Sequence, residues 1–299
     1  MQRGHPAVAR GHAIPWAPAV ATGALVLLFA AFPALLVPIA RGYQAVCAQY
    51  PPIAQLTIHA PPLPLSLLLI LAALSLGNGA WAASDRLVGA VRFNRRVRRQ
   101  AAPLPPRLSV GGETLGLSAR LTFLDQSHPA AFCYGVVRPR VAVTAGLLDR
   151  LDDEALTAVL AHERQHLRRR DPARYLAIHA LTTAAFMFPL APALRQRLEA
   201  RIELGADRAA LAVAPRGALA AALLAIIAAP PVRAPGAVGL TATEARIAQL
   251  AGRPVLPAIP VLALAASLGL AAVIAVAVVD LATSAHLVRM VCALCPGLS

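Results

Sequence analysis

The chain has 299 residues, 58% of them apolar, with a mean hydropathy of +0.63 and a formal net charge of +14. This composition excludes an ordinary soluble domain and points to helices that enter a membrane. The basic residues are all arginine, which reads as coding bias. Their placement beside apolar runs suggests membrane topology rather than nucleic-acid binding. Cys47, Cys133, Cys292 and Cys295 are too few for a disulfide scaffold at this length. The Cys292-Ala-Leu-Cys295 pair reads as a tail disulfide or as no site.

Residues 16–40 are apolar and free of charge, long enough to cross a hydrocarbon layer of about 30 Å. The run exceeds the roughly 7–15 residues of a signal-peptide core, and no small-residue cleavage site follows, so it reads as a retained span. A proline-rich loop, 41–62, leads to a second span at 63–83, with Trp81 at its interfacial end. Asp85 and Arg86 follow, then Arg92, Arg95, Arg96, Arg98 and Arg99. This run is expected to anchor on anionic head groups and to place residue 84 onward in the cytoplasm, with the loop 41–62 outside. Pro103-Leu-Pro-Pro106 reads as a spacer.

Three short strands are expected at 121–124, 131–134 and 140–144, separated by His128-Pro129 and Arg138-Pro139. Residues 141–144 are the expected edge, able to take an extended peptide as an added strand.

Asp152 is a good N-cap for the helix that follows, Asp153 and Glu154 suit its positive end, and Arg168 to Arg170 suit its negative end. Pro172 is expected to stop it. Within it stands His162-Glu163-Arg164-Gln165-His166. Residues four apart on a helix leave the same face, separated by about 6 Å along the axis. Both imidazoles can therefore share one metal ion, with Glu163 in reach of a metal-bound water. This is the H-E-x-x-H arrangement of zinc proteases.

Residues 175–194 carry no charged side chain, yet they hold His179, Pro189 and Pro192. They are expected not to cross, since crossing would put every downstream carboxylate on the wrong side of the membrane from His162. The apolar piece 218–229 is too short to return. In the next helix Glu203 and Asp207 are four apart and share a face. Glu203 is the expected third metal ligand and Asp207 the carboxylate that orients an imidazole. Glu199 is a rival ligand. Residues 255–281 form the last span, followed by a short external tail, 282–299.

The pattern Phe132-Cys-Tyr-Gly135, Arg138-Pro-Arg-Val141, Val159-Leu-Ala-His-Glu-Arg-Gln-His166, Arg170-Asp171 and Glu203-Leu-Gly-Ala-Asp207 resembles the membrane zinc peptidases of the BlaR/MecR antirepressor type. The resemblance implies a zinc gluzincin fold on a four-span membrane scaffold, a cytoplasmic active site and cleavage of a transcriptional repressor. The 18 residues after the last expected span are far too few for the penicillin-binding sensor of the β-lactam-responsive members. The related heat-shock and CAAX-prenyl membrane peptidases share H-E-x-x-H and Glu-x-x-x-Asp, and often an Arg-Ile as at Arg246-Ile247. Quality control of membrane proteins is therefore the alternative function.

The expected architecture is a mainly α membrane protein of three to four hydrophobic helices with a cytoplasmic α+β zinc protease domain. Its parts are a hairpin at 1–84, the protease at 85–254, a span at 255–281 and the tail. Zn²⁺ on His162, His166 and Glu203 would keep one position for water, Glu163 would act as base, and Arg246 or Tyr134 would steady the oxyanion. A protein substrate, above all a cytoplasmic repressor, and membrane lipid are the expected partners, without direct nucleic-acid contact.

Overall fold

The computed structural model describes residues 63–227, 242–253 and 256–294. The expected first span at 16–40, the loop 41–62 and Cys295 lie outside the described residues, as does the side chain of Cys292. Two compact units result: one comprises Leu71–Met187 and Ala191–Ile259, and the other holds the remaining described residues.

Helix α1 spans Leu63–Arg99 without interruption. It was expected to end near residue 83, but no proline breaks it, and Arg96, Arg98 and Arg99 in its last turn suit the negative end of the helix dipole. Leu74, Leu76 and Trp81 are exposed, as an outward apolar face requires. Farther along, Val97 is buried and Phe93 packs beside it, with the Phe93 ring 5.4 Å from that of Phe132. The arginine run therefore lies on a helix whose other face is part of the folded domain.

The expected spacer is a three-residue connection, 103–105, between two elements of the domain. Ala101–Ala102 form β1, and Pro106–Thr114 form helix α2, with proline in its first turn, where a missing N–H costs nothing. Leu108 of this helix is fully buried.

Strands β2 (Leu121–Leu124), β3 (Ala131–Tyr134) and β4 (Arg140–Thr144) lie where the sequence placed them. The sheet order is β1-β2-β4-β3. β4 runs parallel to β2, with Leu121 opposite Val141, and antiparallel to β3, with Cys133 opposite Val141. It is thus an inner strand, and the edge assigned to 141–144 belongs instead to β3. The Val-Ala-Val run explains why: both of its faces are covered, which suits a strand with neighbours on either side.

Alternation sorts the side chains between two layers. Leu121, Cys133, Val141 and Val143 join the larger core with Leu108, Leu156, Leu160 and Leu219. Leu124, Tyr134 and Ala142 face the other way, toward Val97 of α1. After β4 comes the short helix α3 (Ala145–Leu148), where Gly146 lies against the Ser127 carbonyl with no room for a Cβ.

Helix α4 (Asp153–Arg169) starts as expected, with Asp152 accepting a hydrogen bond from the Ala155 N–H at 2.8 Å. It ends at Arg170, which adopts a left-handed conformation (φ 53°). Pro172 does not stop α4 but lies in the first turn of α5 (Asp171–Ala184). Helix α6 (Leu190–Leu211) begins after a break, so residues 175–194 are divided between two helices and form no continuous span. Helix α7 (Arg216–Ile227) buries Ala218, Leu219 and Ala222 in the larger core. Helix α8 (Thr243–Leu250) packs Ala245 against Ala200 and Leu204 of α6.

The smaller unit contains helix α9 (Val261–Leu294). It starts after Pro260 rather than at 255 and continues beyond 281, so residues 282–294, expected as tail, are helical. Among the described residues, Leu67–Arg99 and Val261–Val279 are long and apolar enough to cross a membrane. The described residues are mostly helical, with one small sheet.

Candidate metal centre

Helix α4 presents His162 and His166 one turn apart, and α6 brings Glu203 against them; all three are buried. One donor atom from each lies within 4.8 Å of the others, a set able to hold a metal ion. His162 Nε2 lies 3.0 Å from His166 Nε2. Glu203 Oε2 is 3.6 Å from His162 Nε2, and its Oε1 is 3.6 Å from His166 Nε2.

The outer nitrogens face carboxylates. His166 Nδ1 is 2.8 Å from Asp171 Oδ2, and Arg174 holds the other oxygen of Asp171 at 2.6 Å. His162 Nδ1 is 2.9 Å from Asp207 Oδ1, a close ionic contact whose direction falls outside hydrogen-bond geometry. With a proton on each Nδ1, both Nε2 lone pairs converge on Glu203, and only a proton or a cation can sit favourably between them. The donor set fits a zinc ion, being two imidazoles and one carboxylate.

Electrostatics agree. Burial disfavours a charged His162, but the Asp207 and Glu203 carboxylates outweigh it and raise its pKa to about 9. Burial likewise disfavours ionised Glu203 and Asp207, yet His162 beside each, with His166 and Arg246 nearby, holds both down at about 2. The site therefore demands positive charge at its centre.

Arg246, on α8, is buried and donates to both oxygens of Asp207, from Nε at 2.8 Å and from a terminal nitrogen at 2.7 Å. Its remaining nitrogen is 3.5 Å from Glu203 Oε2. The guanidinium is thus committed to carboxylates. Tyr134, the other expected oxyanion donor, is not brought to this cluster. It points to the opposite face of the sheet, 2.8 Å from the Thr122 hydroxyl. Its neighbour Cys133 takes the near face instead, and burial, then Glu163 and Asp171, push that thiol's pKa up. Glu199 pairs with Arg195 at 2.8 Å and is absent from the ligand group. Glu163 is buried on α4 beside His162.

Two residues at the site were not singled out by sequence reasoning. Asp171 appeared only within the family-like pattern, and its position depends on the left-handed turn at Arg170. Tyr175 of α5 donates its hydroxyl to Glu203 Oε1 at 2.8 Å. No spacing rule on one helix links it to a residue 28 positions away.

Residues 96–229 match peptidase family M48, and that stretch contains the whole His162, His166 and Glu203 cluster. The matched segment is thus similar to M48 metallopeptidase domains. A Protease HtpX homolog of Thermoplasma acidophilum is 45% identical over 62 residues, covering 20% of each chain. One from Aeropyrum pernix is 36% identical over 100 residues, or 30% of this chain and 31% of its own. One from Acidiphilium cryptum is 37% identical over 99 residues, or 31% and 33%. The chain thus spans a third or less of the length of these curated relatives. No solved structure matches it. Arg246 lies beyond the segment matched to the family.

Proposed function

We propose that this chain is a membrane-anchored zinc metalloendopeptidase that cuts protein substrates, with its catalytic domain in the cytoplasm. The observation that carries the reading is the convergence of His162, His166 and Glu203 inside the segment that matches peptidase family M48. The two apolar helices support residence in a membrane, and the arginines of α1 support the inward orientation.

His162, His166 and Glu203 would hold the zinc ion. When bound there, the ion would lower the pKa of a water to about 7 and polarise the scissile carbonyl. Glu163 takes the proton from the attacking water and hands it to the leaving amine. Asp207 and Asp171 hold the imidazoles with Nε2 turned inward. Arg246 balances the charge of Asp207 and Glu203 rather than meeting substrate. Edge strand β3, which carries Cys133 toward Glu163, supplies the main chain against which an extended peptide aligns.

Two substrate classes compete: a transcriptional repressor, as in the antirepressor type, and membrane-associated or unfolded proteins, as in the heat-shock type. The relatives named Protease HtpX homolog favour the second. Comparing the proteomes of cells that carry the wild type or Glu163→Ala distinguishes them. Quality control predicts that many membrane-associated proteins accumulate in the variant. Accumulation of a single intact DNA-binding protein, with its target genes silent, would instead establish the repressor reading.

A further inference from the structure

Glu203 has two oxygens, and the structure treats them differently. Oε1 accepts the Tyr175 hydroxyl at 2.8 Å. Oε2 faces the Arg246 nitrogen at 3.5 Å, too far for a good hydrogen bond. Each oxygen lies 3.6 Å from one imidazole Nε2, so nothing in the histidine geometry selects between them. The selection comes from α5. The hydroxyl of Tyr175 has one proton, and it is given to Oε1. That hydrogen bond occupies lone-pair density that Oε1 would otherwise offer to a metal.

We propose that Tyr175 is a positioning residue that makes Glu203 a one-oxygen ligand, reserving Oε1 for its hydroxyl and leaving Oε2 for the metal. This rests on the metal-centre reading above and goes beyond it. A carboxylate bound through both oxygens would fill a further position on the ion, whereas hydrolysis needs a position kept for water. Tyr175 thus protects the open position without touching substrate. The anchor is also mechanical: α5 starts immediately after the left-handed turn at Arg170, and its first residue is Asp171, the partner of His166. One short helix therefore holds both a histidine and the carboxylate opposite it.

The test uses the full chain in detergent, with Zn²⁺ affinity measured by chelator competition and Co²⁺ as a spectroscopic probe. Tyr175→Phe removes one oxygen and keeps the ring. Its Zn²⁺ affinity should fall by about 10–100-fold, the usual cost of losing a ligand's hydrogen-bond partner. Its Co²⁺ visible bands should weaken as the coordination number rises. Unchanged affinity with superimposable bands would overturn the assignment. The wild type gives a second reading that needs no substitution, in the infrared difference between Zn²⁺-loaded and metal-free protein. A wide separation of the two carboxylate stretches supports one-oxygen binding, and a narrow one overturns it even if Tyr175→Phe does not fold. His162→Ala separates the two levels. If it binds Zn²⁺ as well as the wild type, the metal centre itself is wrong. If it loses the metal while Tyr175→Phe matches the wild type, only the role of Tyr175 fails.

Discussion

His162 Nε2 and His166 Nε2 face each other at 3.0 Å, with the opposite nitrogen of each ring turned to a carboxylate. Two imidazole lone pairs at that distance repel unless something positive lies between them. The pair is therefore a sensitive reporter of what the site binds.

Zinc should stabilise the fold as well as serve chemistry. With free Zn²⁺ at about 100 times its dissociation constant, the gain is about 2.7 kcal/mol. Thermal unfolding with and without a chelator measures it, and His162→Ala and His166→Ala should each remove the difference. A chelator with no effect on the wild-type melting temperature would count against the centre.

Asp171 should matter nearly as much as a ligand, although it touches none of the inward-facing nitrogens. Asp171→Asn keeps the shape but weakens the preference for a proton on His166 Nδ1. Metal affinity should drop by about 10–100-fold. Competition titration checks this, and an unchanged constant would mean that the His166 orientation is set by packing alone.

Arg246→Met should destabilise the protein by about 3–5 kcal/mol, because it leaves the buried Asp207 and Glu203 charges without their counter-ion. Denaturant unfolding of metal-free protein measures the effect. A variant of wild-type stability with lost cleavage would return Arg246 to the role of oxyanion donor.

Tyr134→Phe should cost about 0.5–1.5 kcal/mol through the lost contact with Thr122, while Zn²⁺ binding and peptide cleavage stay as they are. Steady-state cleavage of an unfolded protein substrate checks this. A fall in kcat at unchanged stability would show that the tyrosine reaches the reacting group after all.

The metal helix was legible because its evidence is local: Asp152, the four-residue histidine spacing and the acidic first turn all lie within one element. The three strands were legible for the same reason, each bounded by a proline-containing break. Strand order was not, since the parallel pairing of β2 with β4 depends on chain returning from a distance. The end of the spacer was not legible, because proline serves a linker and a first helical turn equally well, and Pro106 already belongs to α2. Asp171 and Tyr175 stayed hidden because Arg170, a non-glycine residue with positive φ, redirects the chain just before them. Sequence periodicity carries no information across such a turn. The side of the sheet that Tyr134 takes was hidden too, because the period of two in β3 sends Cys133, rather than its neighbour, to the face that packs on the metal-site helix.

The unbroken course of α1 sets a distance. Trp81 is exposed and Val97 is packed against the sheet, on one continuous helix. Sixteen residues at 1.5 Å each make a rod of about 24 Å. With Trp81 at a bilayer surface and the rod upright, the sheet stands that far above the lipid. A polypeptide leaving the bilayer must then offer about seven extended residues before its main chain can reach the level of the sheet.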